Sequence, residues 1–172
     1  MRNTILKYGL TGGAILSFMM AATVPFHDTI GFEYGALVGY TSMVLAFLAV
    51  YFGVRSYRDR IANGLIGFGR ALGVGVSIAL VVSACYVATW QVVYFGFMPD
   101  FGDKYIEYAL KQARESGKSE AEVASMKSEM DAFMVSYQNP LYNAAITFIE
   151  PLPVGLLFAF GSAIVLRRRK LA

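Results

Sequence analysis

The sequence predicts an all-α integral membrane protein, a four-helix bundle with a helical hairpin between its third and fourth spans. Two observations lead to this fold class. The chain of 172 residues is 56% hydrophobic, has a mean hydropathy of +0.51, and carries charge on only 16% of its residues. The charges also alternate in sign between successive loops, as membrane insertion demands and a soluble fold does not. The length fits a single domain.

The first two spans are predicted at residues 5–24 and 34–54. Pro25 and Asp28 end the first span, and the basic run 55–60 stops the second. About twenty apolar residues are what a helix needs to cross a hydrocarbon core of roughly 30 Å. Because two basic residues precede the first apolar run, a signal peptide is the alternative interpretation. We expect a retained helix, since the run is long for a signal and carries a poor cleavage site.

The third and fourth spans are predicted at residues 68–97 and 141–166. Between them lies the only long polar segment, 98–139, which we interpret as two antiparallel helices. Ser119 and Glu122 match the capping box that opens the second of these helices. Apolar residues then recur at helical spacing and form one face, at Val123, Met126, Met130, Phe133, Met134 and Tyr137.

Charge counting predicts the orientation of the four spans. One side carries ten basic residues against one acid, and the other carries eleven acids against five basic residues. The two sides therefore have net charges of +9 and −6, which together give the +3 of the chain. Basic loops are retained in the cytoplasm, so we expect cytoplasmic termini, a periplasmic hairpin and a bacterial inner-membrane location. Basic residues at the span ends are predicted to anchor the helices among lipid head groups: Arg55, Arg58, Arg70, Arg167, Arg168 and Arg169.

Small residues recur at four-residue spacing in every predicted span. In lipid, close backbone approach along such rows is the main route to helix packing, so the rows predict a packed bundle. The pattern leaves open whether the contacts lie within one chain or between chains. The rows are Gly9 and Gly13; Gly31, Gly35 and Gly39; Gly69 and Gly73, then Gly75, Ala79 and Ser83; and Gly155, Ala159 and Ala163.

Glu150 is the most informative candidate for function, since it lies within an apolar run and precedes a Pro-Leu-Pro sequence. A carboxylate at membrane depth is costly unless it is paired or protonated. Asn143 and Thr147 share its helical face, and Gln91 and Tyr40 could complete a polar cluster with them. Two interpretations stay open. Glu150 is a functional carboxylate inside the membrane, or it begins a helix in the outer interface, which the following proline also fits.

No pattern of catalytic, cofactor-binding or metal-binding residues occurs in the sequence, so we expect neither an enzyme nor a cofactor. There is no nucleophile–base pair, no phosphate-binding glycine loop and no metal-ligand spacing. Cys85 and His27 are the single cysteine and the single histidine. Because the basic residues lie at span ends, the lipid bilayer is the first expected partner. Other membrane proteins or further copies of the chain are the other expected partners. Nucleic acid is not expected.

Three pairs of segments resemble a bacterial membrane family catalogued as domain of unknown function 4199. The resemblance covers nearly the whole chain, and its tyrosine-arginine-aspartate motif after the second span is fairly specific. It implies a small four-span inner-membrane protein without an established activity, and it supplies no catalytic residues. The pairs are GYTSM at 39–43 with GVRSYRD at 53–59, FGRA at 68–71 with YVATW at 86–90, and PDF at 99–101 with NPL at 139–141.

Two functions follow as hypotheses. The first is a scaffold or accessory subunit that acts through the periplasmic hairpin. The alternative is a small oligomeric transporter or channel, with Glu150 facing the path. The two hypotheses differ in the effect expected of Glu150→Gln, which should abolish flux in a transporter. A scaffold should instead be more sensitive to changes on the hairpin face, such as Phe133→Ala.

Overall fold

A computed structural model describes residues 1–168, and it confirms the all-α class. Arg169 and Lys170, expected at the anchored end of the last span, lie outside the described residues. Within the described part of the chain, the β pairing consists of a single isolated bridge between Ile66 and Arg168. The helices are α1 (Arg2–Thr23), α2 (His27–Arg60), α3 (Phe68–Gly96), α4 (Phe101–Glu115), α5 (Glu120–Tyr137), α6 (Pro140–Ile149) and α7 (Pro151–Leu166).

Three helical stretches are long and apolar enough to cross a membrane, namely Arg2–Arg60, Phe68–Gly96 and Pro140–Leu166. They indicate a membrane protein. The first stretch folds back on itself, because Gly31 has a φ of +69° and interrupts the helical backbone. As a result, Gly12 in α1 lies against Ala46 in α2. Helices α1 and α2 therefore pack as an antiparallel pair.

Helix α3 is the central helix of the bundle and contacts α1, α2 and α7. Gly9 and Gly13 of α1 lie against Val81 and Cys85 of α3, so these two helices run parallel. Helix α7 runs antiparallel to α3, since Gly155 lies against Ala79 and Gly75 against Ala159. The fully buried side chains between the helices are almost all apolar, and the largest are Phe47, Leu16, Met43, Ile66, Ile78, Val50, Val54, Val74 and Val82.

The structure divides the predicted rows of small residues into two groups. A Cβ atom at Gly9, Gly13 or Gly155 would meet a neighbouring helix at 2.6–2.8 Å, so these glycines permit close packing. At Gly35 and Gly39, by contrast, nothing lies within 4 Å of an added Cβ. The same is true of Gly31, Gly69 and Gly73. The rows at 31–39 and 69–73 therefore do not pack the bundle within one chain, which the sequence pattern could not reveal.

Helices α4 and α5 pack against each other as an antiparallel hairpin. Ile106, Leu110 and Ala113 of α4 form a small apolar core with Val123 of α5, and Met126, Met130 and Met134 pack against it. The predicted capping box is present: Ser119 N donates to Glu122 Oε2 at 2.8 Å, and Glu122 N donates to Ser119 Oγ at 3.3 Å. Hydrogen bonds from the Ser119 side chain and backbone lower the pKa of Glu122.

The basic residues meet at the end of the bundle opposite the hairpin. Among the predicted anchors, Arg58 has a side chain that is only 11% exposed, and its Nε donates to Asp59 Oδ1 at 2.6 Å. Backbone bonds between Ile66 and Arg168, at 2.9 and 3.1 Å, join the α2–α3 loop to the end of α7. Arg55, Arg70, Arg167 and Arg168 are exposed.

We expect Gly12→Ala to destabilise the bundle by roughly 1–3 kcal/mol, the usual cost of overpacking. The added methyl would lie 2.8 Å from the Ala46 carbonyl oxygen and 2.9 Å from a Val82 methyl group. Gly73→Ala is the matched control, because its methyl meets open space and alanine favours a helix by up to about 1 kcal/mol. Thermal unfolding in a mild detergent measures both, and equal midpoints would contradict the assigned packing.

Candidate functional site

A chain of hydrogen bonds joins the hairpin to the bundle. Trp90 Nε1 donates to the Tyr137 hydroxyl at 3.0 Å, and that hydroxyl lies 2.8 Å from Thr147 Oγ1. Thr147 Oγ1 donates to Asn143 Oδ1 at 3.3 Å, and Gln91 Nε2 donates to the same oxygen at 2.9 Å. Because Trp90 occupies the Tyr137 oxygen as acceptor, Tyr137 is free to donate to Thr147. Each group then has a partner, as buried polar groups require.

The start of α6 positions this network. Asn139 caps the helix, since its Oδ1 accepts from the backbone N–H groups of Leu141 and Tyr142 at 3.0 and 3.2 Å. Proline at the first helical position fits here because no N–H is needed there. One turn later Asn143 points into the bundle and is completely buried. Its Nδ2 donates to the Tyr137 backbone oxygen at 3.3 Å, so one side chain contacts both α3 and α5.

Glu150 lies at the junction of α6 and α7. Pro151 has no N–H to continue the helical ladder, and the Thr147 carbonyl instead accepts from Glu150 N at 3.3 Å. The Glu150 carboxylate points away from the bundle core, and its Oε2 accepts a hydrogen bond from the Tyr86 hydroxyl at 2.7 Å. The side chain is exposed and lines a cavity. Glu150 therefore lies where α6 ends and α7 begins, and its side chain faces the cavity.

The structure brings together most of the predicted cluster. Asn143, Thr147 and Gln91 are joined directly by hydrogen bonds, and Glu150 lies one turn further along. Tyr40 is 54% exposed on the facing cavity wall, and within residues 1–168 its hydroxyl makes no hydrogen bond to them.

Sequence reasoning missed three members of the site, Tyr86, Trp90 and Tyr137. A signal for the first two existed, because Tyr86, Trp90 and Tyr94 are spaced at i, i+4 and i+8 and share one face of α3. Tyr137 had been assigned to the apolar face of the hairpin, where its hydroxyl was not considered. Its partner could not be deduced from spacing, since Trp90 is 47 residues away.

The cavity has a volume of about 840 Å³ and lies beneath the hairpin. Its walls come from the end of α1, the first half of α2, the end of α3, and α6. Helices α4 and α5 form its roof. Gly35 and Gly39 belong to the α2 wall, where missing side chains leave the space open. Aromatic rings make up much of the remaining surface, namely those of Phe32, Tyr40, Tyr86, Trp90, Phe101, Tyr105, Tyr108, Phe133 and Tyr137.

Aromatic packing fixes helix α4 to the start of α2. The Phe32 ring contacts those of Phe101, Tyr105 and Tyr108 with centroid separations of 5.2–5.6 Å. His27 packs edge-on against Phe32 at 5.0 Å. These separations suit edge-to-face and offset aromatic pairs. One face of α4 thus docks on the bundle, while its other face packs on α5.

Lys104 adds an ionic contact at the same place. Its Nζ lies 2.8 Å from Asp28 Oδ1 and 2.9 Å from Asp100 Oδ2. Hydrogen bonding to Asp28, then to Asp100, raises the pKa of Lys104, and the bond from Lys104 lowers the pKa of Asp100. Because its pKa is raised, the Lys104 ammonium contributes fully to stability below pH 10.5. Because its pKa is lowered, the Asp100 carboxylate contributes fully above pH 3.8. The contact therefore persists at neutral pH, although its exposure keeps its contribution small.

The site combines a mostly apolar cavity with the exposed carboxylate of Glu150. Within residues 1–168, no three His, Cys, Asp or Glu side chains come close enough together to hold a metal ion. The volume falls in the range of pockets for small organic ligands.

The sequence matches the family described as "Protein of unknown function (DUF4199)" over residues 7–168. The chain therefore belongs to this family, and the resemblance found in the sequence is confirmed. No curated protein and no solved structure matches the chain.

We expect Asn143→Ala to loosen the hairpin. It removes the acceptor of Gln91 and Thr147 and leaves polar groups unsatisfied, at a cost of about 1–3 kcal/mol. Hydrogen–deuterium exchange of the backbone amides in α5 should become faster. Leu141→Ala, two residues away with the side chain 83% exposed, is the matched control and should change little. If α5 is equally protected in both variants, the network does not hold the hairpin.

Proposed function

We propose that this member of the family is a four-span bacterial inner-membrane protein that acts as a scaffold or accessory subunit through its hairpin. Its termini are cytoplasmic, its hairpin is periplasmic, and it carries no enzymatic activity. The arrangement of charge supports the orientation, because basic residues gather at one end of the bundle and acidic residues predominate at the other. The antiparallel packing of α1, α2, α3 and α7 supports four crossings.

The observation that carries the accessory role is the network of hydrogen bonds between the hairpin and the bundle. The hydrogen bonds of Trp90, Tyr137 and Thr147 hold α5 against α3 and α6. A partner bound to α5 would thus be held at a defined position relative to the membrane. The outer face of α5 also offers an apolar side chain for contact, since Val135 is 76% exposed.

Helix length supports a position of Glu150 near the outer boundary of the hydrocarbon core. Helix α7 has 16 residues between Glu150 and the basic end, which at ~1.5 Å each give ~24 Å. The hydrocarbon core is roughly 30 Å thick. At that depth the carboxylate and the cavity lie where the acyl chains give way to the head groups.

The alternative function is a small oligomeric transporter or channel with Glu150 on the path. The exposure of Glu150 to the cavity favours it. The packing below the cavity argues against a path through one chain, because Phe47, Val50 and Ile78 are fully buried there. A path would then have to form between copies. Glu150→Gln should abolish flux in a transporter and leave the hairpin contacts of an accessory subunit intact.

Thiol labelling tests the orientation. In a Cys85→Ala background, Ser116→Cys at the hairpin turn should react with a membrane-impermeant reagent in cells with a permeabilised outer membrane. Ile61→Cys, in the loop after α2, should react only after the inner membrane is lysed. Both positions are exposed, so access depends on the side of the membrane. Labelling of Ile61→Cys alone before lysis of the inner membrane would show that the orientation is opposite to the proposed one.

Site-specific photocrosslinking in native cells tests the accessory role. A photoreactive amino acid at Val135, on the outer face of α5, should give a discrete adduct with one protein partner. The same amino acid at Val165 in α7 is the control, since that valine is 69% exposed against 76% for Val135. Its proposed neighbours are lipids. The accessory role fails if the adducts from Val135 are no more specific than those from Val165.

A further inference from the structure

The cavity beneath the hairpin has an unbalanced charge. Glu33 and Glu150 both line it, and no lysine or arginine does so. Within the described residues, neither carboxylate forms a salt bridge. The nearby Lys104 is already bonded to Asp28 and Asp100. His27 is the one basic side chain on the wall. Both carboxylates are exposed to the cavity, so a cationic ligand there could contact them directly.

Glu150 is poised to contact such a ligand. Its Oε2 accepts a hydrogen bond from Tyr86, whereas Oε1 accepts none from any residue in the described part of the chain. The Tyr86 bond orients the carboxylate, and the rings of Tyr40, Tyr86 and Trp90 all line the cavity. Carboxylates bind cations by charge, and aromatic faces bind them through the ring quadrupole. Together these groups favour an amine or a quaternary ammonium.

The rest of the cavity suits an apolar chain. Met19, Met20, Ile30 and Val38 contribute to its walls, which are mostly apolar. Opposite the polar network, Gly35 and Gly39 leave open space along α2. An extended hydrocarbon chain can lie in this space, with its cationic head toward Glu150.

We propose that this cavity binds an amphiphilic cation, with an ammonium head at Glu150 and an apolar chain along the glycine-bearing wall of α2. The binding does not depend on the accessory role of the hairpin, because every residue that contacts the ligand belongs to this chain. An anionic amphiphile would face Glu150 with no lysine or arginine in the lining of this cavity. Charge thus distinguishes the expected ligand from a fatty acid or an alkyl phosphate.

Trp90 provides a direct readout, since it is the only tryptophan of the chain and lines the cavity. The full chain is purified in a neutral sugar-headed detergent and titrated with decyltrimethylammonium chloride below its micelle concentration. Decyl sulfate, with the same chain length and the opposite charge, is the paired probe. We expect a saturable change in Trp90 fluorescence with the cation and none with the anion. An equal response to both would overturn the proposal.

Two variants locate the binding. Glu150→Gln keeps the size of the side chain and should weaken cation binding about tenfold or more, as expected for loss of a charge-assisted contact. Gly39→Leu should fill the α2 wall and abolish saturable binding. Gly73→Leu, also in open space but away from the cavity, should bind like the original chain. Undiminished affinity in both Glu150→Gln and Gly39→Leu would place the bound cation elsewhere and overturn the proposal.

Folding and ligand source are controlled in the same preparation. Thermal unfolding should be unchanged in Gly39→Leu, and Gly35→Leu at the same wall is the substitute if it is not. Phosphatidylethanolamine or phosphatidylglycerol is then added to the micelles. Competition by the amine-headed lipid alone supports a bilayer lipid as the natural occupant. An unchanged titration with either lipid supports a free amphiphile, and competition by phosphatidylglycerol alone would contradict the charge preference.

Discussion

The close approach of helix α3 to its neighbours is the constraint on which the other features depend. Lipid tails are as apolar as leucine side chains, so membrane helices gain little from burying such side chains and associate through tight contacts. Here Gly12, Gly75 and Gly155 remove the side chains that would keep the backbones apart. On α2 these contacts begin only at Ser42. The half of α2 that precedes Ser42 is free to stand away from α3, and the cavity occupies the resulting gap.

The hairpin closes this gap because of where it falls in the chain. It connects the end of α3 to the start of α6, so both of its ends are held at the same end of the bundle. Hydrogen bonds among Trp90, Tyr137 and Asn143, which belong to three helices, then hold the hairpin against the bundle. Such a network stabilises a structure only when every member is satisfied. The side chain of Asn143 donates one hydrogen bond and accepts two. Without it, its partners in the network would lose their hydrogen bonds to it.

The cavity and the hairpin are parts of one site. Tyr137 holds the hairpin to the bundle and also lines the cavity. Phe133, on the same helix, lines the cavity as well. A ligand in the cavity would therefore contact both the bundle and the element proposed to bind a partner. Below the cavity, the tight packing around Phe47 leaves little room for passage toward the basic end. These features support the proposed accessory role over the proposed transporter.

Local patterns in the sequence determined the helices, the hairpin cap and the sorting of charge. The third span was predicted at 68–97 and α3 covers Phe68–Gly96, because apolar length and flanking polar residues are local properties. The capping box of Ser119 and Glu122 likewise involves residues only three apart. Only the tertiary structure decided which faces meet. In the folded chain Gly12 packs against neighbouring helices, whereas Gly35 and Gly39 have no atom within 4 Å of an added Cβ. Tyr86 and Glu150, 64 positions apart in the sequence, form a hydrogen bond. Every face of a membrane helix is apolar, so periodicity alone cannot say which row of small residues meets a neighbour and which borders a cavity.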